Sequence, residues 1–406
     1  MTNVSSSNDN NNNNSSSSSN QRPIKDIILK HPDKVIIGYD DYRHKFYTID
    51  AKDRVHTLIL GETGSGKSET LKLLIYHNIL RKEGFMLIDP HGMLARDVLM
   101  LLRKEYTTEQ EFNSKVIYIN PEITNYRINP LQIDDYKKKH IVLMSFISVL
   151  KNLYEYAWGD RLETILRNAI HLIMESDPPA TLSKIAKVLA EQKYRDMLVK
   201  ASVDKSIEDF WFSVYPSYQR DAFTAVYNKL DKLLRIESVS RTFNVEESNI
   251  DLKEAVREGK VIIVDLSTGF SDDIVRFLAS IFVHLLYVYA KSGITLDRKY
   301  YLYIDEAHLI ATFALREVLN ALRKFNVSVT LATQTANIFE KDVQMELPAL
   351  CRLVVMFRVD MNTAKQYAYL FNVTEEKVYT LPLHYFYFYM QGEQAVRGLA
   401  KSYVVM

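Results

Sequence analysis

Residues 56–68 read HTLILGETGSGKS, and the fold of the chain turns on this stretch. The run HTLILG (56–61) is apolar, too short for a helix, and ends at a glycine, which reads as a buried strand. GETGSGKS at 61–68 fits the pattern G-x-x-x-x-G-K-[ST]. From Lys67 the sequence KSETLKLLIYHNILRK places Leu71, Leu74, Ile75 and Ile79 at helical spacing, and Gly84 ends the helix. A strand, a glycine-rich loop and a helix in this order are what phosphate binding requires. Glycines let the backbone curl until several N–H groups converge on phosphate oxygens, and the helix N-terminus adds partial positive charge. The predicted nucleotide-binding set is Gly61, Glu62, Thr63, Gly64, Ser65, Gly66, Lys67, Ser68 and Glu69. Lys67 would neutralise β/γ-phosphate charge, and the Ser68 hydroxyl would ligate Mg²⁺ beside ATP. The plainer reading is a glycine-rich turn with a surface lysine.

Outward from this loop, FMLIDP (85–90) is a second buried strand halted by Pro90. GMLARDVLMLLRKEY follows as a helix, and KVIYINP (115–121) as a third strand. Strands alternating with helices imply parallel pairing through right-handed crossovers, hence an α/β, doubly wound and mostly parallel sheet. Between about Asp134 and Glu258 strand signals vanish, and helical stretches such as RLETILRNAIHLIMES take over. The sheet resumes with KVIIVDLS (260–267), KYYLYIDEA (299–307), VSVTLATQ (327–334) and RLVVMFRV (352–359), with helices at 272–290, 314–325 and 361–371. The end of the chain carries two strand-like runs around Gln391-Gly392, a hairpin signal. KVIIGYD and KFYTID, within 23–54, read as another hairpin. The expected organisation is a disordered Asn/Ser tail (1–22), a first part of an ATPase domain (23–133), an α-helical insertion domain (134–258) and a second part of the ATPase domain (259–406).

YYLYIDEAH (300–308) is an apolar strand ending in two acids. An acid at a strand end often only caps the next helix. Beside a phosphate loop, however, one carboxylate must hold the metal through water and another must polarise the attacking water. Asp305 suits the first role and Glu306 the second. VSVTLATQ ends in the polar run Thr333, Gln334 and Thr335, and Gln334 at that tip is the expected sensor of both the γ-phosphate and the water. Its alternative is a bond to the loop backbone.

The formal net charge of +1 shows no global basic field, although a groove or pore can be locally basic. Cys351 is the only cysteine, so no internal disulfide or cysteine zinc site forms and an intracellular, cytoplasmic setting is expected. The most apolar stretch, 274–290, contains Arg276 and His284 and is slightly short of the roughly 20 residues that cross a bilayer, so it reads as a buried helix. No membrane anchor is visible. The histidines have no metal-like spacing and read as packing or surface residues. The aromatic runs FWFSVYPSY (210–218) and HYFYFYM (384–390) read as core more than as base-stacking surfaces. Asp89 serves equally as an orderer of the metal site or as a turn residue.

With these residues in hand, the chain resembles the HerA/FtsK superfamily of motor ATPases, and within it the TraG/TraD-like coupling proteins of conjugation. The likeness rests on HTLILGETGSGKS, on the Asp-Pro-His-Gly turn of FMLIDPHGMLARDVL, on Asn129-Pro130-Leu131, and on YIDEAH followed by LRKFN and VTLATQ. It implies a P-loop NTPase (RecA-like/ASCE) fold, ATP with Mg²⁺, a homo-hexameric ring and DNA as the translocated partner. It also implies that Arg323, in ALRKFN, reaches a neighbour's nucleotide as an arginine finger, with Arg352 and Arg358 as lesser candidates. A cation complementing the helix dipole is the competing role for Arg323. In such a ring the loops at His91-Gly92 and at 267–273 are candidates to face the strand in the pore, against ordinary connections. A protein-translocating ATPase and a nucleotide-gated scaffold remain alternative readings.

Overall fold

The computed structural model describes residues 21–405 except 155–157, 219–220, 268, 294–295, 311–314, 338, 340 and 393–394. Residues 1–20 of the expected tail lie outside them. The first described element is a helix, Gln21–Lys30, where only loop and hairpin had been expected. Ile24 and Ile28, one turn apart, are both buried and seat it.

Eleven strands form one sheet: β1 (Lys34–Asp40), β2 (Lys45–Asp50), β3 (Thr57–Leu60), β4 (Phe85–Asp89), β5 (Val116–Ile119), β6 (Val261–Asp265), β7 (Tyr300–Ile304), β8 (Val327–Thr333), β9 (Leu353–Met356), β10 (Tyr385–Met390) and β11 (Val396–Lys401). Their order is β2-β1-β11-β10-β9-β3-β8-β7-β4-β6-β5. From β9 to β5 every pair is parallel. The wing from β2 to β10 is antiparallel and joins through β10 on β9. Both expected hairpins therefore exist, and they extend the parallel sheet rather than standing apart from it.

The central strands are buried on both faces, and alternate side chains feed two cores. Leu58, Leu60, Met86 and Ile88 join one core with the helix Asp272–Lys291 and the helices of 139–257. Ile59, Phe85 and Leu87 join the other with the helix Lys67–Leu80 and the helix Met93–Glu105. The helical stretch between β5 and β6 thus shares a core with one face of the sheet. The helix Asp272–Lys291 is long and apolar enough to cross a membrane by length and composition, but most of it is buried in that core.

His56 locks the entry to β3. Its Nδ1 accepts from the Val329 N–H of β8 at 3.0 Å, so its proton sits on Nε2, which donates to Leu319 O at 3.0 Å. Burial pushes this imidazole down to about 4. His284 is likewise a packing residue, held by the Ser145 hydroxyl and by Pro130 O. The run at 384–390 alternates, with Phe386, Phe388 and Met390 buried. At 210–218 Phe210 and Trp211 are buried while Phe212 and Val214 are exposed, so that run is core only in part.

Candidate active site

The parallel strands all end at one edge of the sheet, and the loops there carry the site. Gly61 leaves β3 and donates to Thr333 O at 3.1 Å, which ties the loop to β8. A Cβ on Gly61 would stand 2.5 Å from Ser65 Oγ and 2.7 Å from Phe357 Cβ, so no side chain fits. Gly66 has φ +118° and opens the helix Lys67–Leu80, of which nearly every residue is buried. Lys67 Nζ donates to Gly61 O at 2.7 Å and to Glu62 O at 3.1 Å, inside the curl of the loop. Burial lowers its pKa, opposed by the nearby charges of Glu306, Asp305 and Glu62. Ser68 stands exposed in the first helical turn. Glu69 turns instead to Lys72 at 3.0 Å, which also holds Asp97 at 2.9 Å.

Asp305 and Glu306 follow β7 and are both buried. Asp305 N–H donates to Ile88 O of β4, and Asp305 Oδ1 accepts the Glu306 N–H at 3.1 Å. Burial, with Asp89 and Glu306 adding, pushes Asp305 up to about 6, against the pull of Lys67. Glu306 sits at φ +55°, a left-handed conformation that costs a side-chain-bearing residue of order 1–3 kcal/mol and clusters at functional sites. Burial would raise its pKa, yet His308, Lys67 and Gln334 together hold it below the ordinary value. Gln334 Nε2 donates to Glu306 Oε1 at 3.4 Å, and His308 Nδ1 stands 3.2 Å from Oε2. Oε2 is buried, and His308 is the group that faces it.

A third link stiffens the site from beneath. Arg54 is buried, and its guanidinium donates to the Tyr303 hydroxyl of β7, to Asn78 Oδ1 at 3.2 Å and to Leu74 O. It therefore joins the phosphate-loop helix to the carboxylate strand. Sequence alone did not single it out, because its partners lie far along the chain.

Asp89 caps the turn after β4: its carboxylate accepts from His91 N at 2.9 Å and Ala95 N at 2.8 Å. The turn residue Gly92 is packed so tightly that an added Cβ would meet Ser267 Oγ at 2.3 Å. His91, Ser267, Phe270, His308, Glu306 and Gln334 line one cavity of about 470 Å³. Residues of the two loops expected to face a pore thus share a cavity with Glu306; residue 268 of the second loop lies outside the described residues. Arg323 is exposed at the end of the helix Leu315–Lys324, and Arg323 O accepts the Asn326 N–H where β8 begins. Asn326 O in turn meets the first residue of β7, so Arg323 lies at the edge opposite its own phosphate loop. Arg352 pairs with Asp53 at 3.0 Å, away from the loop. Arg358 is beside it, with Nε 2.9 Å from Glu62 Oε2.

The donors suit magnesium: a serine hydroxyl on the loop helix and a buried carboxylate facing two further acids, all hard oxygen ligands whose repulsion a cation relieves. Among the described residues no three His, Cys, Asp or Glu side chains form a self-sufficient metal site. A cation at Ser68 and Asp305 would need phosphate oxygens or water to complete its shell.

A sequence model of the HerA helicase central domain matches residues 45–286, more than half of the chain. The DNA import protein CedB of Sulfolobus acidocaldarius is 26% identical over 322 residues, which are 74% of this chain and 44% of that protein. The chain thus spans less than half the length of this relative. The bacterial conjugative coupling protein TrwB superposes with a TM-score of 0.67 at 16% identity, covering 88% of this chain and 87% of that one. TrwB has also been solved with ADP and Mg²⁺, at a TM-score of 0.63 and 17% identity, covering 88% of each chain. VirB4 of Thermoanaerobacter pseudethanolicus gives 0.62 at 15% identity, covering 91% and 96%. These structures share the α/β P-loop NTPase fold. With a family model spanning the loop, β4 and the helices that pack on the sheet, the chain belongs to the HerA central-domain family of P-loop ATPases.

Proposed function

We propose that this ATPase is a motor that spends ATP hydrolysis on moving DNA, working as a homo-hexameric ring in the cytoplasm. The observation that carries the hydrolytic part is Glu306: a strained, buried carboxylate facing the phosphate loop, with Gln334 at one oxygen and His308 at the other. A scaffold that only binds nucleotide has no use for such a group. In this reading the loop 61–68 cradles the phosphates, and Lys67 leaves the carbonyls of Gly61 and Glu62 for the β/γ-phosphate oxygens. Ser68 and Asp305 would hold magnesium, which would supply positive charge at those oxygens. Glu306 takes the proton of the attacking water, and Gln334 orients that water and reports the γ-phosphate. Arg323 faces away from its own site, so any contribution it makes to hydrolysis is to a neighbour's nucleotide. Residues 134–258 are read as a helical insertion domain between the two parts of the ATPase domain, 23–133 and 259–406.

The DNA step is supported by the names of the relatives, a DNA import protein and a conjugative coupling protein. The cavity joining the His91-Gly92 turn and the loop at 267–273 to Glu306 offers a route by which a strand in the pore could act on hydrolysis. The test is ATP hydrolysis with and without double-stranded DNA. Stimulation by DNA that disappears in Glu306→Gln supports the motor. Hydrolysis indifferent to DNA, from a chain that forms no ring on sizing, would overturn it and favour a protein substrate.

A further inference from the structure

Strand β3 has β8 on one side and β9 on the other. Glu306 and Gln334 stand on the β8 and β7 side, so the terminal phosphate points that way. The ribose and base must then leave the loop in the opposite direction, over the end of β9.

A built surface stands there. Arg358, two residues past β9, is joined twice to the loop: its carbonyl accepts the Glu62 N–H at 2.8 Å, and its Nε donates to Glu62 Oε2 at 2.9 Å. Its side chain stays 38% exposed, within reach of a ligand at the loop. His384, at the start of the C-terminal hairpin, closes the other side. Its N–H donates to Ser65 O at 3.0 Å, and its carbonyl accepts the Ser402 N–H at 2.8 Å. It is exposed, yet held at φ +70°, a conformation unfavourable for a residue with a side chain. Its imidazole rests directly on the loop, with Nδ1 3.3 Å from where a Cβ on Gly66 would lie. Within the loop that these two residues touch, the Ser65 hydroxyl is buried without a partner. The two backbone hydrogen bonds of His384 hold the left-handed conformation and so keep the imidazole against the loop.

We propose that Arg358 and His384 form the nucleoside subsite of this ATPase, taking the ribose and base of a purine nucleoside triphosphate whose phosphates lie in the loop 61–68. The planar guanidinium stacks on the base, which every purine presents as a π face. The imidazole packs on the sugar side. The C-terminal hairpin is thereby part of the nucleotide site, although it lies at the far end of the chain from the loop. This rests on ATP occupying the loop, and the experiment separates the two claims.

Affinities for Mg²⁺-bound fluorescent ATP and for Mg²⁺-bound inorganic tripolyphosphate, the latter by competition, are measured on the full chain. Variants are Arg358→Ala, His384→Gly and Lys67→Ala. His384→Gly removes the ring while relieving the strained backbone and keeping the N–H to Ser65, so its fold is not at risk. Arg358→Ala and His384→Gly should each weaken ATP about tenfold and leave tripolyphosphate within about twofold. Equal losses for both ligands would make the two residues mere braces of the loop, and no loss for either would remove them from the site. Lys67→Ala should weaken both ligands. If it weakens neither, the placement of the triphosphate in the loop is what fails.

Discussion

Lowering the pH from 7 to 5 tests how His56 holds the phosphate-loop strand. The imidazole is buried and neutral, with its folded pKa near 4 against an unfolded value of about 6.5. For a histidine whose folded pKa is depressed, the unfolded state binds the proton first. The stabilisation is therefore complete above about pH 6.5 and is lost as the pH falls toward 4. At about 1.4 kcal/mol per unit the full loss is roughly 3 kcal/mol, of which about 2 kcal/mol falls between pH 7 and 5. Geometry gives the cause: a proton on Nδ1 would face the Val329 N–H, and the bond joining β3 to β8 would be lost. His284, near 4, and His77, held well below the ordinary value by burial, act in the same sense; Asp305, raised to about 6, acts in the opposite one. The comparison that isolates His56 is urea unfolding of the wild type and of His56→Asn, each at both pH values. The variant should be less stable at pH 7 but lose about 2 kcal/mol less on acidification. Parallel losses, or an assigned His56 resonance titrating near 6.5, would mean that this imidazole is not held neutral by the fold.

Glu306→Gln should lower kcat for ATP roughly 10²–10⁴-fold while the dissociation constant for ATP stays near the wild-type value; a variant that still turns over rapidly would remove the glutamate from catalysis. Gly66→Ala puts a Cβ 2.9 Å from Phe357 Cε1 and 3.0 Å from Ser402 Oγ at a φ of +118°. Thermal melting should show destabilisation of about 1–3 kcal/mol, and nucleotide titration a loss of binding. Mixed assemblies of Arg323→Ala and Lys67→Ala subunits should recover ATPase activity that neither parent has, because Arg323 lies at the edge away from its own loop; no recovery would leave it a helix-end cation.

The parts of the site legible in the sequence were those written in short contiguous runs. GETGSGKS and YIDEAH each combine an apolar strand with its polar end, so the strand, the turn and the chemistry are read together. Gln334 followed from its place at the tip of the next strand, and β8 does lie between β3 and β7. The helix Gln21–Lys30 was hidden because its buried stripe is essentially Ile24 and Ile28, too little to outweigh the polar tail before it. The remaining features depend on contacts that sequence separation conceals. Glu62 meets Arg358 across 296 positions, and Arg54 meets Tyr303 across 249. Nothing local marked His384 as a neighbour of Ser65, since its strained backbone is imposed by the hairpin returning to the loop. His308 alone was within reach: it follows Glu306 by two residues in the motif already singled out.

Movement along DNA is read most simply as displacement of a triplex-forming strand from duplex DNA by the purified chain with Mg²⁺ and ATP. Displacement should require hydrolysis, and should be absent with Glu306→Gln and when a non-hydrolysable analogue replaces ATP. Active ATP turnover with the third strand left in place would contradict a DNA-moving motor.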